Sequence, residues 1–101
     1  MSDENKLLLD ANRGARAKLL IESDLFKEAF ASLEESYIAA WRSTKIDDAS
    51  SREKLFLAIN VLGKVQQHLT TALNDGKIAE AELRDLAQAA ERQKPWQGIR
   101  T

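Results

Sequence analysis

The stretch FKEAFASLEESYIAAW, Phe26 to Trp41, decides how the chain is read. Phe26, Phe30, Leu33, Tyr37 and Trp41 follow one another at steps of four, three, four and four. That mixture keeps all five on one line of an α-helix. The line holds two of the three phenylalanines, the only tyrosine and one of the two tryptophans. Glu28, Glu34, Glu35 and Arg42 fall mostly away from it, so one face is apolar and the other wet. Each large apolar side chain contributes about 1.5–3 kcal/mol on full burial. The hydroxyl of Tyr37 and the indole N–H of Trp41 suit the edge of a seam, where they find partners. The line is therefore expected to be a core or subunit seam. A stacking platform for single-stranded nucleic acid also uses aromatics, but beside a positively charged groove, and acids crowd this segment.

Outward from this stretch the chain stays helical. Glycines stand only at 14, 63, 76 and 98, and Pro95 is the only proline. Good helix formers dominate everything before it, and strict two-residue alternation, the signature of strands, is missing. Four helical segments are predicted. The first spans about 5–22, with Leu8, Ala11, Ala15 and Leu19 on one stripe. Gly14 costs it about 1 kcal/mol relative to alanine. Ser23 or Asp24 is the expected cap of the next helix, about 25–43, although the break is soft enough for one bent helix. In the polar STKIDDASSRE segment, Ser50 with Glu53 makes a capping box, and Asp47 or Asp48 is an earlier alternative.

The third helix, about 50–73, carries two apolar lines. One is Leu55, Ile59, Leu62, Gln66, Leu69 and Leu73; the other is Ala58, Val61, Val65, His68 and Ala72. So broad a face asks for more than one neighbouring helix. Asn74-Asp75-Gly76 is expected to end this helix, with Gly76 as a positive-φ C-cap. A fourth helix follows, about 77–93, with Ile78, Leu83, Leu86 and Ala90 roughly on one side. The expected architecture is all-α: a long antiparallel helical hairpin with flanking shorter helices, a small bundle. Residues 1–94 form a single helical domain, and 95–101 an extended C-terminal tail.

At 101 residues, 44% apolar and 31% charged, the chain fits one folded domain, small enough for a partner to add much of its buried area. A net charge of -1 argues against dominant binding to nucleic acid or an anionic membrane. No segment approaches the roughly 20 apolar residues of a spanning helix, and the acidic start does not resemble a signal peptide. The absence of cysteine excludes disulfides, thiolate catalysis and thiolate metal sites.

Little else points to chemistry. His68, the only histidine, is expected at the edge of a core, and no second histidine or cysteine completes a zinc site. Glycine-rich phosphate loops are absent. Neither a cofactor nor a metal is expected, and the chain reads as a non-enzyme. Arg13, Arg16 and Lys18 form the one basic cluster able to meet phosphates, diluted by Asp10, Glu22 and Asp24. Trp96 and Ile99, beyond Pro95, are expected as a tail anchor, folding back on the bundle or reaching into another subunit.

The segment Leu25–Leu69 resembles a group of short helical proteins encoded by tailed bacteriophages and prophages. There an aromatic-rich helix ends in Trp-Arg-Ser/Thr; a polar turn leads to an Arg-Glu-led helix ending in His-Leu. Trp41, Arg42, Thr44, Arg52, Glu53, Leu55 and His68 carry the likeness. The first helix and the PWQGIRT tail lie outside it. The resemblance implies a phage context, near head or packaging genes, and assigns no activity.

These readings converge on a structural or interaction protein acting by helix-mediated self-association or partner docking. Phe26, Phe30, Leu33, Tyr37, Trp41, Leu55, Ile59, Leu62 and Leu69 are the expected seam. The partner is a second copy or another phage protein, in the cytoplasm of the bacterial host or within the virion, with no membrane involved. A DNA-packaging accessory using the basic cluster, and a phage-encoded binder of a host protein, are the alternatives.

Overall fold

The computed structural model describes residues 2–93. Three helices follow one another: α1 Ser2–Glu22, α2 Asp24–Arg42 and α3 Ala49–Arg92. Among the described residues there is no strand. The fold is the expected all-α antiparallel hairpin. One arm is the single 44-residue helix α3, and the other is α1 and α2 in succession.

The punctuation follows from short polar side chains. Ser23 is extended (φ -67°, ψ 126°), and its Oγ accepts a hydrogen bond from the N–H of Phe26 at 3.4 Å. One residue thus separates α1 from α2, and the bent-helix alternative is not what forms. At the hairpin end, Asp48 caps α3 by accepting from the N–H of Ser51 at 3.2 Å. Ser50 already lies inside the helix, so the earlier of the two expected caps is the one used.

The expected stop at Asn74-Asp75-Gly76 does not occur. α3 runs through it, and no glycine among the described residues has positive φ. The predicted third and fourth helices are therefore one. Turn-forming residues raise the cost of a helix without forbidding it, since only proline removes the backbone donor. Here packing against α1 overrides local preference, because Gly76 is where the two helices touch. An ideal Cβ on Gly76 would lie 2.6 Å from the Cα of Gly14 and 3.1 Å from the carbonyl oxygen of Asp10; one on Gly14 would lie 3.0 Å from that of Ala72. Lys6 shares a groove with Glu82, and Arg13 shares one with His68, so α1 runs antiparallel to α3.

A seven-residue repeat organises both arms. On α3 it is Leu55, Leu62, Leu69, Gly76 and Leu83; on α1, Leu7, Gly14 and Ile21; and Phe30 and Tyr37 carry it along α2, with Ser23 and Thr44 at the same spacing just beyond its two ends. Each is at least partly buried. Between Ile21 and Ser23 the register jumps, which is what the break accomplishes. A repeat of seven kept over several turns goes with a left-handed supercoil.

The stripe expected on α1 is displaced. Leu8 is 53% exposed, Leu19 73%, and Ala15 is exposed, while Leu7, Ala11, Gly14, Ala17 and Ile21 face α3. On the C-terminal half of α3, Ile78, Leu86 and Ala90 are exposed and only Leu83 of the expected line packs inward. Close approach selects the smallest side chains rather than the most apolar ones. Accordingly α1 lies closer to α3 than α2 does: glycine and alanine bring two axes together, whereas phenylalanine, tyrosine and tryptophan hold them apart.

The hairpin is long and thin, 82 × 27 × 13 Å, with a Cα radius of gyration of 22.5 Å. A compact domain of this length has a radius of gyration of about 13 Å. Only Gly14, Ala17, Gly76 and Ala79 are buried among the described residues.

Candidate protein–protein interface

Two fastenings hold the arms together and fix which side chains face outward. The first is the glycine crossing. The second lies at the closed end of the hairpin. The guanidinium carbon of Arg52, in the first turn of α3, stands 5.0 Å from the ring centroid of Trp41, near the end of α2. Nη1 of the same arginine donates to Oγ1 of Thr44 at 3.2 Å, and that hydroxyl donates to the carbonyl oxygen of Trp41 at 2.6 Å. A cation over an indole face contributes about 1 kcal/mol at such a partly buried site. Together Trp41, Thr44 and Arg52 close the turn between α2 and α3.

Between the fastenings lies the aromatic seam. Phe26, Phe30, Tyr37 and Trp41 of α2 and Leu55, Ile59, Leu62 and Leu69 of α3 are all partly buried. Phe26 and Phe30 stack one turn apart with ring centroids 4.5 Å from each other. Leu33 remains 42% exposed. None of these large side chains is fully buried, because a structure one helix thick has no second layer to cover them. Trp96 and Ile99, the expected tail anchor, lie outside the described residues.

No family model, no curated protein and no solved structure matches the chain. What the surface is suited to do must therefore come from its own geometry.

Two members of the basic cluster, Arg13 and Lys18, are not brought together. Arg13 lines a groove with Asp10, His68, Thr71 and Asp75. Lys18 lines a different one, on the other side of the glycine crossing, with Glu22, Lys77 and Glu80. Five residues along a helix turn a side chain by about 140°, so Arg13 and Lys18 diverge, and carboxylates flank both. His68 is exposed rather than at a core edge. Among the described residues no group of three or more metal-binding side chains converges, and no helix is long and apolar enough to cross a membrane.

The two broad sides of the hairpin can be told apart by one rule. In an antiparallel pair, residues displaced in the same rotational sense from each seam share a side. The residue just before each seam position obeys it: Lys6 with Glu82, and Arg13 with His68 and Asp75. Applied along the middle of the molecule, the rule puts Leu20, Val61 and Val65 on this His68 side, with Leu33 at its inner edge. They are 43%, 57%, 41% and 42% exposed. Val61, Val65, His68 and Leu69 line one mainly apolar groove there. The middle of the second apolar line of α3, Val61, Val65 and His68, is thus exposed, while its ends, Ala58 and Ala72, are partly buried.

The surface area carries the same message. The chain exposes 8213 Å², whereas a compact monomer of this mass exposes about 5,700 Å². Residues outside 2–93 contribute at most about 1,600 Å² even at full exposure. The excess is still about 1,000 Å², and a standard interface buries about 800 Å² per partner.

Sequence reading passed over the glycine crossing. Its signal was the pair Gly14-Ala-Arg-Ala17 and Gly76-Lys-Ile-Ala79, in which a glycine precedes an alanine by three residues on both arms.

Proposed function

We propose that this chain is a structural protein that works by contact. It presents a rigid helical hairpin to a second copy or to another protein, within a phage assembly or virion, and catalyses nothing itself. The observation that supports the reading is the unpartnered apolar middle of the His68 side, on a molecule with only four buried residues among those described. Such a surface is stabilised by being covered. The phage context, in the cytoplasm of the bacterial host or in the particle, rests on the Leu25–Leu69 resemblance.

The test is solution mass of the full chain by light scattering across a dilution series. A mass above 11.3 kDa that falls toward it on dilution is expected. The helical chain staying at monomer mass throughout, with a melting temperature independent of concentration, would defeat the reading.

A further inference from the structure

One column of α3 runs down the middle of the His68 side at seven-residue spacing: Lys54, Val61, His68, Asp75 and Glu82. Its composition is polarised. Near the hairpin turn it begins with a lysine; the centre is apolar; the far half is acidic. In that far half, α1 adds Asp3 and Asp10 to Asp75 and Glu82, against Lys6 and Arg13. Lys64 sits beside the apolar centre.

From this polarity we infer that the His68 side is covered by a second copy of the same chain, laid antiparallel about a two-fold axis near Lys64 and Val65. The inference rests on the contact reading and names its occupant and register. A two-fold axis makes a surface meet itself. Placed between residues 64 and 65, it sets Val61 and Val65 of one copy over the apolar centre of the other. It also brings each Lys54 to Asp75 of the second copy, since both lie about 16 Å from the axis in opposite directions. The acidic far half then meets the lysine end twice over. A parallel arrangement would instead stack acid on acid, which is unfavourable. Two hairpins joined this way make a four-helix bundle, packed as left-handed supercoiled helices pack. The area left uncovered by one chain is of the size such an interface needs.

The native chain has no cysteine, so introduced thiols report the register directly. Three full-length variants are used, K54C, D75C and K64C, all at exposed positions, each checked for helicity by circular dichroism. Residues 54 and 75 are about 32 Å apart along one helix, so a disulfide between them joins two chains. Mixed K54C and D75C are expected to cross-link at twice the monomer mass. K64C is expected to cross-link with itself, and K54C alone is not. K54E should raise the dimer dissociation constant about tenfold at low salt, and K54E/D75K should restore it. An oligomer in which K54C pairs with itself, or in which the mixture stays uncross-linked, overturns the register while leaving the contact reading standing. A chain that stays monomeric at every concentration overturns both.

Discussion

The backbones of Gly14 and Gly76 meet with no room for a side chain between them: a Cβ on either would stand 2.6 Å from the Cα of the other. Helix interiors normally penalise glycine. Here the penalty is offset by a closeness of two helices that no other residue permits, and the crossing decides which face of α1 is inside.

Gly14→Ala and Gly76→Ala should each destabilise the hairpin. Alanine gains about 0.5–1 kcal/mol of helix preference, but overpacking against rigid backbone costs about 1–3 kcal/mol. The melting temperature, measured at fixed protein concentration, should fall by several degrees, at about 4–8 °C per kcal/mol. Gly63 is the internal control, because nothing lies within 4 Å of an added Cβ there. Gly63→Ala should raise the melting temperature. The same sign of change at all three glycines would refute the crossing.

Arg52→Ala removes both the cation over Trp41 and the hydrogen bond to Thr44. The expected loss is about 1–2 kcal/mol. Arg52→Lys should recover little, because an ammonium lacks the planar fork that does both jobs. Urea denaturation followed at 222 nm checks this; equal midpoints for wild type and Arg52→Ala would dismiss the clasp.

Leu62 and Val61 are sequence neighbours with opposite duties. Leu62→Asp puts a carboxylate in the seam and should cost more than about 2 kcal/mol, lowering helicity and thermal stability. Val61→Asp acts on the uncovered side and should leave helicity near wild type while driving the mass toward 11.3 kDa. Circular dichroism and light scattering on the same samples separate the two. Retained helicity in Leu62→Asp would mean that the seam is wrongly placed.

Ser23→Ala deletes the acceptor that satisfies the N–H of Phe26, at an expected cost of about 0.5–2 kcal/mol. Ser23→Asn should be nearly neutral, since asparagine caps comparably. A gain in stability from Ser23→Ala would indicate that the arm prefers to be one continuous helix.

The helical character, the antiparallel hairpin, the turn at 43–48 and the aromatic line of α2 were all legible in the sequence. Each depends on periodicity or on local hydrogen bonding, which a few neighbouring residues determine. Capping was nearly as legible: Ser23 and Asp48 both stood among the expected caps. Less was visible on α1, whose inward face was misjudged by about one residue. Leu19 outranks Gly14 only if apolarity alone decides burial, and apolarity cannot rank Leu8 against Leu7. The stop assigned to Asn74-Asp75-Gly76 failed for the related reason that a glycine signifies a turn or a close contact, and local sequence does not distinguish them.

By itself, then, the sequence determined that this chain makes long amphipathic helices, where the polar breaks fall, and that α3 carries more apolar surface than one neighbour can cover. Only the tertiary structure decided that Gly76 continues a helix and that small residues rather than leucines hold α1 in place. Those outcomes turn on the distance between two helix axes, set by residues 62 positions apart in the case of Gly14 and Gly76, and no local pattern encodes that distance.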